Sequence, residues 1–262
     1  MLESTKIYYF SGTGNSLSIA KDLKSKLKNV ELISIAELMR IPGEIVIEGD
    51  VIGFVFPVYF GRVPVFVEEF LERASFGNTN YIFAITNGGG AFCRTLNIFN
   101  TQLLGKDKSL NAGFTIRMPG IHPKIHRFIK KTDEEFFHDK TRRINELSEI
   151  VLRKQDHRIE TNFGILGFLL SHILVKKLYK DCRKHVLDSP FWINESCTQC
   201  GTCQKICPVS NIELTSSGPK WLGKCVNCTR CYHMCPHEAI EMGDDSMKRY
   251  KNPDIELGEL YL

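Results

Sequence analysis

Eight of the ten cysteines fall between Cys197 and Cys235 in two copies of one pattern, and no other stretch restricts the fold and chemistry of the chain as tightly. The first copy places Cys197, Cys200, Cys203 and Cys207 before Pro208, and the second places Cys225, Cys228, Cys231 and Cys235 before Pro236. Each cysteine of the second copy follows its counterpart by 28 positions, so the segment is an internal repeat with a constant offset. Three thiolates at this spacing wrap three corners of an iron-sulfur cubane, while the fourth, held off by its proline, reaches the cluster of the other copy. The spacing therefore assigns Cys197, Cys200, Cys203 and Cys235 to one [4Fe-4S] cluster and Cys225, Cys228, Cys231 and Cys207 to a second.

Two other chemistries use dense cysteines. Structural zinc takes four tetrahedral sulfurs, usually from two separated pairs, and leaves the third cysteine of each copy without a role. Disulfides at this density belong to small secreted domains, and Met1 to Lys6 carries no apolar leader. With its Cys235-Pro236-His237-Glu238-Ala239-Ile240 ending, the segment resembles the bacterial-type two-cluster ferredoxins, which implies a small α+β domain. A reducing cytoplasm is the expected compartment, in a low-oxygen niche where exposed cubanes survive.

Near the other end, Lys6 to Phe10 reads as a buried strand. It runs into Ser11-Gly12-Thr13-Gly14-Asn15-Ser16 and then into Leu17, Ile19, Ala20, Leu23 and Leu27 at helical spacing. A strand, a short hydroxyl and glycine loop and a helix aim backbone amides and the positive end of a helix dipole at an anion such as phosphate. No lysine follows Gly14, as a nucleoside triphosphate loop requires, and Leu17 stands where a dinucleotide fingerprint needs its third glycine. The bland alternative is a plain strand-to-helix turn. The loop resembles that of the flavodoxins, which hold the phosphate of FMN with hydroxyls and amides and without a cation.

Strands are expected at Val30–Ile35, Val51–Phe56, Tyr81–Thr86 and Ala112–Arg117, with helices at Pro64–Ala74 and Ala91–Leu104. This alternation implies an α/β domain built on a doubly wound five-stranded parallel sheet with ligands outside the carboxyl ends of the strands, and the resemblance to flavodoxins implies the strand order 2-1-3-4-5. Two further loops leave that edge, Pro57-Val58-Tyr59-Phe60-Gly61-Arg62 and Asn87-Gly88-Gly89-Gly90-Ala91. By resemblance they grip the isoalloxazine ring. Tyr59 or Phe60 would stack on one face, and the amides of Asn87 to Gly90 would meet the pyrimidine edge. Tyr59 is weighed against a core aromatic. Phe92 is the nearby candidate for a second aromatic, and Cys93 reads as a small buried residue.

The net charge of +4 hides an uneven distribution, with 16 basic against 10 acidic residues between positions 111 and 190. That surplus, including Arg142, Arg143, Lys176, Lys177, Lys180, Arg183 and Lys184, reads either as a docking face for an acidic redox partner protein or as a solvated surface. Nucleic acid is not expected, because no reading helix or interleaved surface aromatics accompany the charge. His122 and His126 read as loop residues, and Thr132-Asp133-Glu134-Glu135 opens an amphipathic helix through Leu152. The apolar run Phe163 to Val175 falls short of the about 20 residues that a membrane span needs, so an inter-domain helix is favoured over an interfacial anchor.

The expected organisation is a flavodoxin-like FMN domain over 1–155, a helical connector over 156–190, the ferredoxin domain over 191–243 and a tail over 244–262, whose last residues fold back onto a domain. The whole chain resembles the flavodoxin and ferredoxin fusion proteins of anaerobic bacteria and archaea. The resemblance implies a carrier of low-potential electrons between two [4Fe-4S] clusters, FMN and a redox partner protein. Two alternatives stand beside it: an oxidoreductase whose flavin reduces a quinone or nitro compound, and a redox sensor.

Overall fold

The computed structural model describes residues 4–90, 92–122, 131–161, 191–243 and 248–262. β1 (Thr5–Tyr9) leads into α1 (Asn15–Lys26), then β2 (Val30–Ser34), the single turn α2 (Ile35–Leu38), β3 (Ile45–Ile47) and β4 (Val51–Pro57). They are followed by α3 (Val65–Arg73), β5 (Ala74–Phe76), β6 (Tyr81–Gly88), α4 (Thr95–Leu104), β7 (Ala112–Arg117) and α5 (Asp133–Leu152).

The main sheet has the order β2-β1-β4-β6-β7 with every neighbour parallel, which is 2-1-3-4-5 when only its own strands are counted. β4 is buried along its whole length and β6 along all but its last residue, as continuous apolar runs at the centre of a parallel sheet must be. One face packs Tyr8, Phe54, Phe56, Phe70 and Phe99 together. The other packs Ile7, Val55, Phe83 and Phe114 against Ile19 and Leu23 of α1 and Ile144 and Leu147 of α5. Gly53 has no side chain because the Phe83 ring lies over it, with Cζ 2.4 Å from where a Cβ would stand.

Two features depart from the expected elements. β3 and β5 pair in parallel as a separate ladder, too short to register as strands in the sequence. Residues 157–160, expected to open a helical connector, instead run extended beside β7, with Ile159 bridging Gly113 and His157 N–H donating to Asn111 O at 2.8 Å. The outer edge of β7 is thereby partly covered, which removes open hydrogen-bonding groups from a strand edge. The run Phe163–Val175, His126, Cys182, Lys176, Lys177, Lys180, Arg183 and Lys184 lie outside the described residues.

The second domain comprises β8 (Phe191–Ile193), α6 (Thr202–Ile206), β9 (Ile212–Thr215), β10 (Gly218–Trp221), α7 (Arg230–Met234) and β11 (Ile240–Met242). β9 pairs with β10 and β8 with β11, both antiparallel. The backbone repeats as the cysteines do: Gln199 and Gly201 have φ of 56° and 75°, and Asn227 and Thr229 have φ of 53° and 53°.

The tail folds back, but chiefly through polar residues. Leu260 packs with Leu17, Ile206 and Met234, joining α1 to both small helices. Lys140 of α5, 3% exposed, donates to Asp254 Oδ2 at 2.7 Å, pairs with Asp22 at 2.9 Å, and donates to Ser18 Oγ at 2.7 Å. Ser18 Oγ in turn donates to Asp254 at 2.8 Å.

Gly53→Ala is expected to cost about 1–3 kcal/mol through overpacking, partly recovered by adding Phe83→Leu, as read by urea denaturation. Asp254→Ala is expected to cost about 1.5 kcal/mol, the low end for charged hydrogen bonds because Asp22 still holds the ammonium. Burial alone would raise the Asp254 pKa, but hydrogen bonds from Lys140 and Ser18 outweigh it and hold the carboxyl below its ordinary value. The contribution is therefore present in full above about pH 4 and lost as pH falls through the depressed value, so the stability gap between wild type and variant closes only in acid.

Candidate functional site

The loop between β1 and α1 turns its backbone amides toward open space at a helix N-terminus. Gly14 caps α1 at φ 100°, a conformation that favours glycine, and its N–H donates to Ser11 Oγ at 3.1 Å. Among the described residues, the amides of Gly12, Thr13, Asn15 and Ser16 have no acceptor within the protein, although Ser11, Thr13, Asn15 and Ser16 are all buried. Buried donors left without an acceptor need a partner. They stand at the positive end of a 12-residue helix that ends on Lys24 and Lys26.

This loop forms one wall of a cleft of about 680 Å³, counting the solvent at its mouth, within the ~300–1,000 Å³ usual for cofactor sites. Ser11, Gly12, Thr13, Asn15 and Ser16 line it from β1 and α1, Pro57, Val58, Tyr59 and Phe60 from the end of β4, and Asn87, Gly88 and Gly89 from the end of β6. Three expected residues stand off the wall. Gly14 faces Asn252 and Ile255 of the tail, Gly61 lies in the β4–α3 turn at φ 71°, and Gly90 stands beside the Arg117 guanidinium. Among the described residues, no Lys, Arg, Asp or Glu lines the cleft.

Several side chains expected to face a ligand are committed elsewhere. Asn15 Oδ1 accepts from Tyr250 Oη at 2.6 Å and Asn252 Nδ2 at 2.8 Å, while Asn15 Nδ2 donates to Pro119 O at 3.3 Å. Asn15 is thus a strut joining the loop, the tail and the segment after β7. Asn87 Nδ2 donates to Ser16 Oγ at 2.7 Å and to Phe56 O at 3.3 Å, which ties the β6 loop to α1. Phe92 is buried and does not reach the cleft. Burial raises the Cys93 pKa, so that thiol stays protonated at neutral pH.

Tyr59 and Arg62 exchange backbone hydrogen bonds at 3.1 and 3.0 Å around Phe60 and Gly61, which have φ of 51° and 71°. This is a two-residue turn with two left-handed positions, and Phe60 is a bulky residue at one of them. Its ring meets His122 edge-on at 5.7 Å. His122, with Pro119, Gly120 and Ile121, forms a cleft wall that sequence reasoning left as irregular loop. No periodicity marked it; the prolines and glycine following β7 were the one available signal.

The cysteines ring two further cavities of about 330 Å³ each, solvent included. One is lined by Cys197, Cys200, Cys203 and Cys235, the other by Cys207, Cys225, Cys228 and Cys231. In each cavity the four thiols surround a volume, the arrangement a polynuclear cluster needs. Burial pushes the thiols of Cys203 and Cys228 up to about 11 and raises Cys231 well above the ordinary value, while hydrogen bonds from Thr202 lower exposed Cys200. Such buried thiols do not ionise alone near neutral pH; a bound metal displaces their protons.

The cleft and the second cavity share a wall. Asn227 and Thr229 of the small domain line the cleft, and Thr229 also lines the cavity. A Cβ on Gly12 would stand 2.8 Å from Cys228 O and 2.7 Å from Tyr59 Oη, so the close approach of the domains requires glycine there. Behind the loop lies Arg230, 3% exposed, whose Nε donates to Gly12 O at 2.8 Å and whose Nη2 donates to Ser11 O. Its Nη1 donates to Ile206 O at 2.7 Å and Leu260 O at 3.1 Å. His233, fully buried, accepts the Tyr250 N–H at 3.1 Å on Nδ1 and lies 2.7 Å from Ile121 O through Nε2, which connects the cysteine helix α7 to the cleft wall. Neither Arg230 nor His233 was singled out from sequence, because an inter-domain role leaves no local pattern.

In comparisons with known proteins, the 4Fe-4S dicluster domain matches residues 196–240, and iron-sulfur electron transfer is the general chemistry of such a domain. No curated protein matches the chain. Among solved structures, an FMN-dependent NADH-azoreductase from Bacillus anthracis in complex with FMN is similar at 8% identity and a TM-score of 0.41, over 57% of this chain and 99% of that one. A flavoprotein in complex with FMN from Lactobacillus acidophilus is similar at 16% identity and a TM-score of 0.32, over 49% of this chain and 99% of its own. By its own strand order and cysteine segment, this chain joins a flavodoxin-like α/β domain to a 4Fe-4S dicluster domain, the arrangement of a flavodoxin and ferredoxin fusion.

Proposed function

We propose that this protein is an electron-transfer flavo-iron-sulfur protein, with FMN in the cleft and a [4Fe-4S] cluster in each cysteine-ringed cavity, exchanging low-potential electrons with a redox partner protein. The observation that carries the reading is Thr229, which lines both the cleft and the cavity of Cys207, Cys225, Cys228 and Cys231, so that the two seats have a common wall. When bound, a flavin accepts two electrons singly and each cubane passes one, which joins one-electron to two-electron chemistry.

The amides of Gly12, Thr13, Asn15 and Ser16 would hold the phosphate, with the α1 dipole in place of a cation. Pro57, Val58, Tyr59 and Phe60 would bound the ring on one side, and Gly88 and Gly89 bring main chain to its edge without side-chain interference. Cys197, Cys200, Cys203 and Cys235 would hold one cluster, and Cys225, Cys228, Cys231 and Cys207 the other. Cys200 is exposed while Cys207, Cys228 and Cys231 are buried, which supports electron entry at the first cavity. The basic docking face has less support: of the seven residues named for it, Arg142 and Arg143 are described, and they are paired with Asp139, Glu146 and Glu160.

One observation favours reduction of a small molecule as the second reading. Phe60 is held in a left-handed conformation at the mouth of the cleft, with its ring against His122, and strain of this kind gathers at functional sites. Both residues line the cleft.

Protein purified without oxygen is expected to contain FMN and about eight iron and eight sulfide per chain. Cys228→Ala should lose about half the iron, and Cys93→Ala none. Gly12→Ala should weaken FMN binding by at least about tenfold with iron content unchanged, because the added methyl meets Tyr59 and Cys228 at the shared wall. Steady-state assays with a quinone or nitro compound and no partner protein are expected to show slow turnover. Rapid turnover would replace the carrier reading with the second one.

A further inference from the structure

Arg230 has an environment that neither domain alone explains. It is buried, yet its four described hydrogen bonds all go to neutral carbonyls, of Ser11, Gly12, Ile206 and Leu260. A buried cation without a counter-charge is strongly unfavourable. The ionisable groups around it are Cys228, Tyr59, Cys207 and Tyr9, and it lines the second cysteine cavity itself. The cavity it lines is ringed by Cys207, Cys225, Cys228 and Cys231, which would bind iron as thiolates and so place negative charge beside the guanidinium.

Its other side acts on the loop. In a trans peptide the carbonyl of one residue and the N–H of the next point in opposite directions. With the carbonyls of Ser11 and Gly12 fixed on the guanidinium, the N–H groups of Gly12 and Thr13 turn away from it, and both residues line the cleft.

We infer that Arg230 is a positioning residue for both redox seats: its fork presents the Gly12 and Thr13 amides to an anion in the cleft, and its charge stabilises the reduced state of the cluster held by Cys207, Cys225, Cys228 and Cys231. The inference rests on the reading of the cleft as an FMN site and the cavity as a cluster site. Reduction adds one electron, supplied by dithionite, to that cluster. No bond forms or breaks, and the guanidinium keeps its protons. The fixed positive charge favours the added negative charge, more so where water is excluded.

The test uses the full chain with its clusters intact, in wild-type, Arg230→Gln and Arg230→Lys forms. FMN affinity is read from quenching of flavin fluorescence, and cluster reduction from a dithionite titration followed by electron paramagnetic resonance. Arg230→Gln is expected to bind FMN about tenfold more weakly, the effect of losing a charge-assisted hydrogen bond. Its cluster should be about tenfold harder to reduce, a fall of about 59 mV for one electron. Arg230→Lys keeps the charge without the fork, so FMN binding should weaken while the potential stays near wild type. Unchanged FMN affinity in both variants, or a potential in Arg230→Lys as low as in Arg230→Gln, overturns the inference. If Arg230→Gln does not fold, Arg230→Lys decides alone: weaker FMN binding at an unchanged potential supports the dual role, and any other result overturns it. Wild-type protein that carries clusters but takes up no FMN instead sinks the reading beneath it.

Discussion

The two domains meet through backbone, and much of the site depends on that contact. Gly12 comes close enough to the Cys228 carbonyl that a single methyl group would not fit between them. Val226 and Cys228 extend the aromatic core built around Phe54, Phe56 and Phe66, so the cysteine loop is part of the hydrophobic packing of the first domain. A sheet domain can bind a phosphate group with its own loop, but here the back of that loop is closed by Arg230 and by the tail. The cleft is consequently a product of assembly, with walls from β1, β4, β6, the segment after β7 and the small domain.

The polar strap through Asn15, Tyr250, Asn252, Asp254 and Lys140 has a different physical role from the apolar contact at Leu260. Burial of Leu260 against Leu17, Ile206 and Met234 supplies non-directional attraction, which tolerates small shifts in register. Hydrogen bonds at 2.6 to 2.8 Å to one oxygen of Asn15 do not tolerate such shifts. The tail therefore fixes the position of the phosphate-type loop relative to α5 and the small domain, and the ammonium of Lys140 remains hydrogen-bonded although it is removed from water.

The parts legible in the sequence were those governed by local rules. The cysteine spacing set out two groups of four thiols with the fourth of each copy exchanged, and the same two groups line the two cavities. Strand and helix alternation pointed to a parallel sheet, because buried parallel strands must be apolar runs, while its order came from the flavodoxin resemblance of the first loop. The loop from Ser11 to Ser16 stood out in the sequence by its small and hydroxyl-bearing residues, and five of its six residues line the cleft. What was not legible depends on distant partners. Asn15 reads as a ligand donor until Tyr250 and Asn252 arrive from more than 200 residues away. Arg230 reads as one charge among 34 basic residues, since burial between domains has no periodicity. Phe92 looked like a flavin-stacking aromatic by proximity in sequence, but the turn after β6 carries it into the core.

The repeat is symmetric in its cysteines and asymmetric elsewhere, and that asymmetry orients the small domain. At the position matching Arg230 stands Thr202, whose hydroxyl lies 3.4 Å from Cys200 Sγ, within its own copy. Tyr232 and His233 are buried, whereas their counterparts Gln204 and Lys205 are exposed. Two cluster loops with equal residues between their cysteines would have no preferred side. With Arg230, Tyr232 and His233 the second copy has a face that packs against the first domain, while Gln204 and Lys205 leave that side of the first copy exposed. Under the proposed reading, the direction of electron flow through the two clusters is thus set by the residues between the cysteines, while the cysteines themselves are indifferent to it.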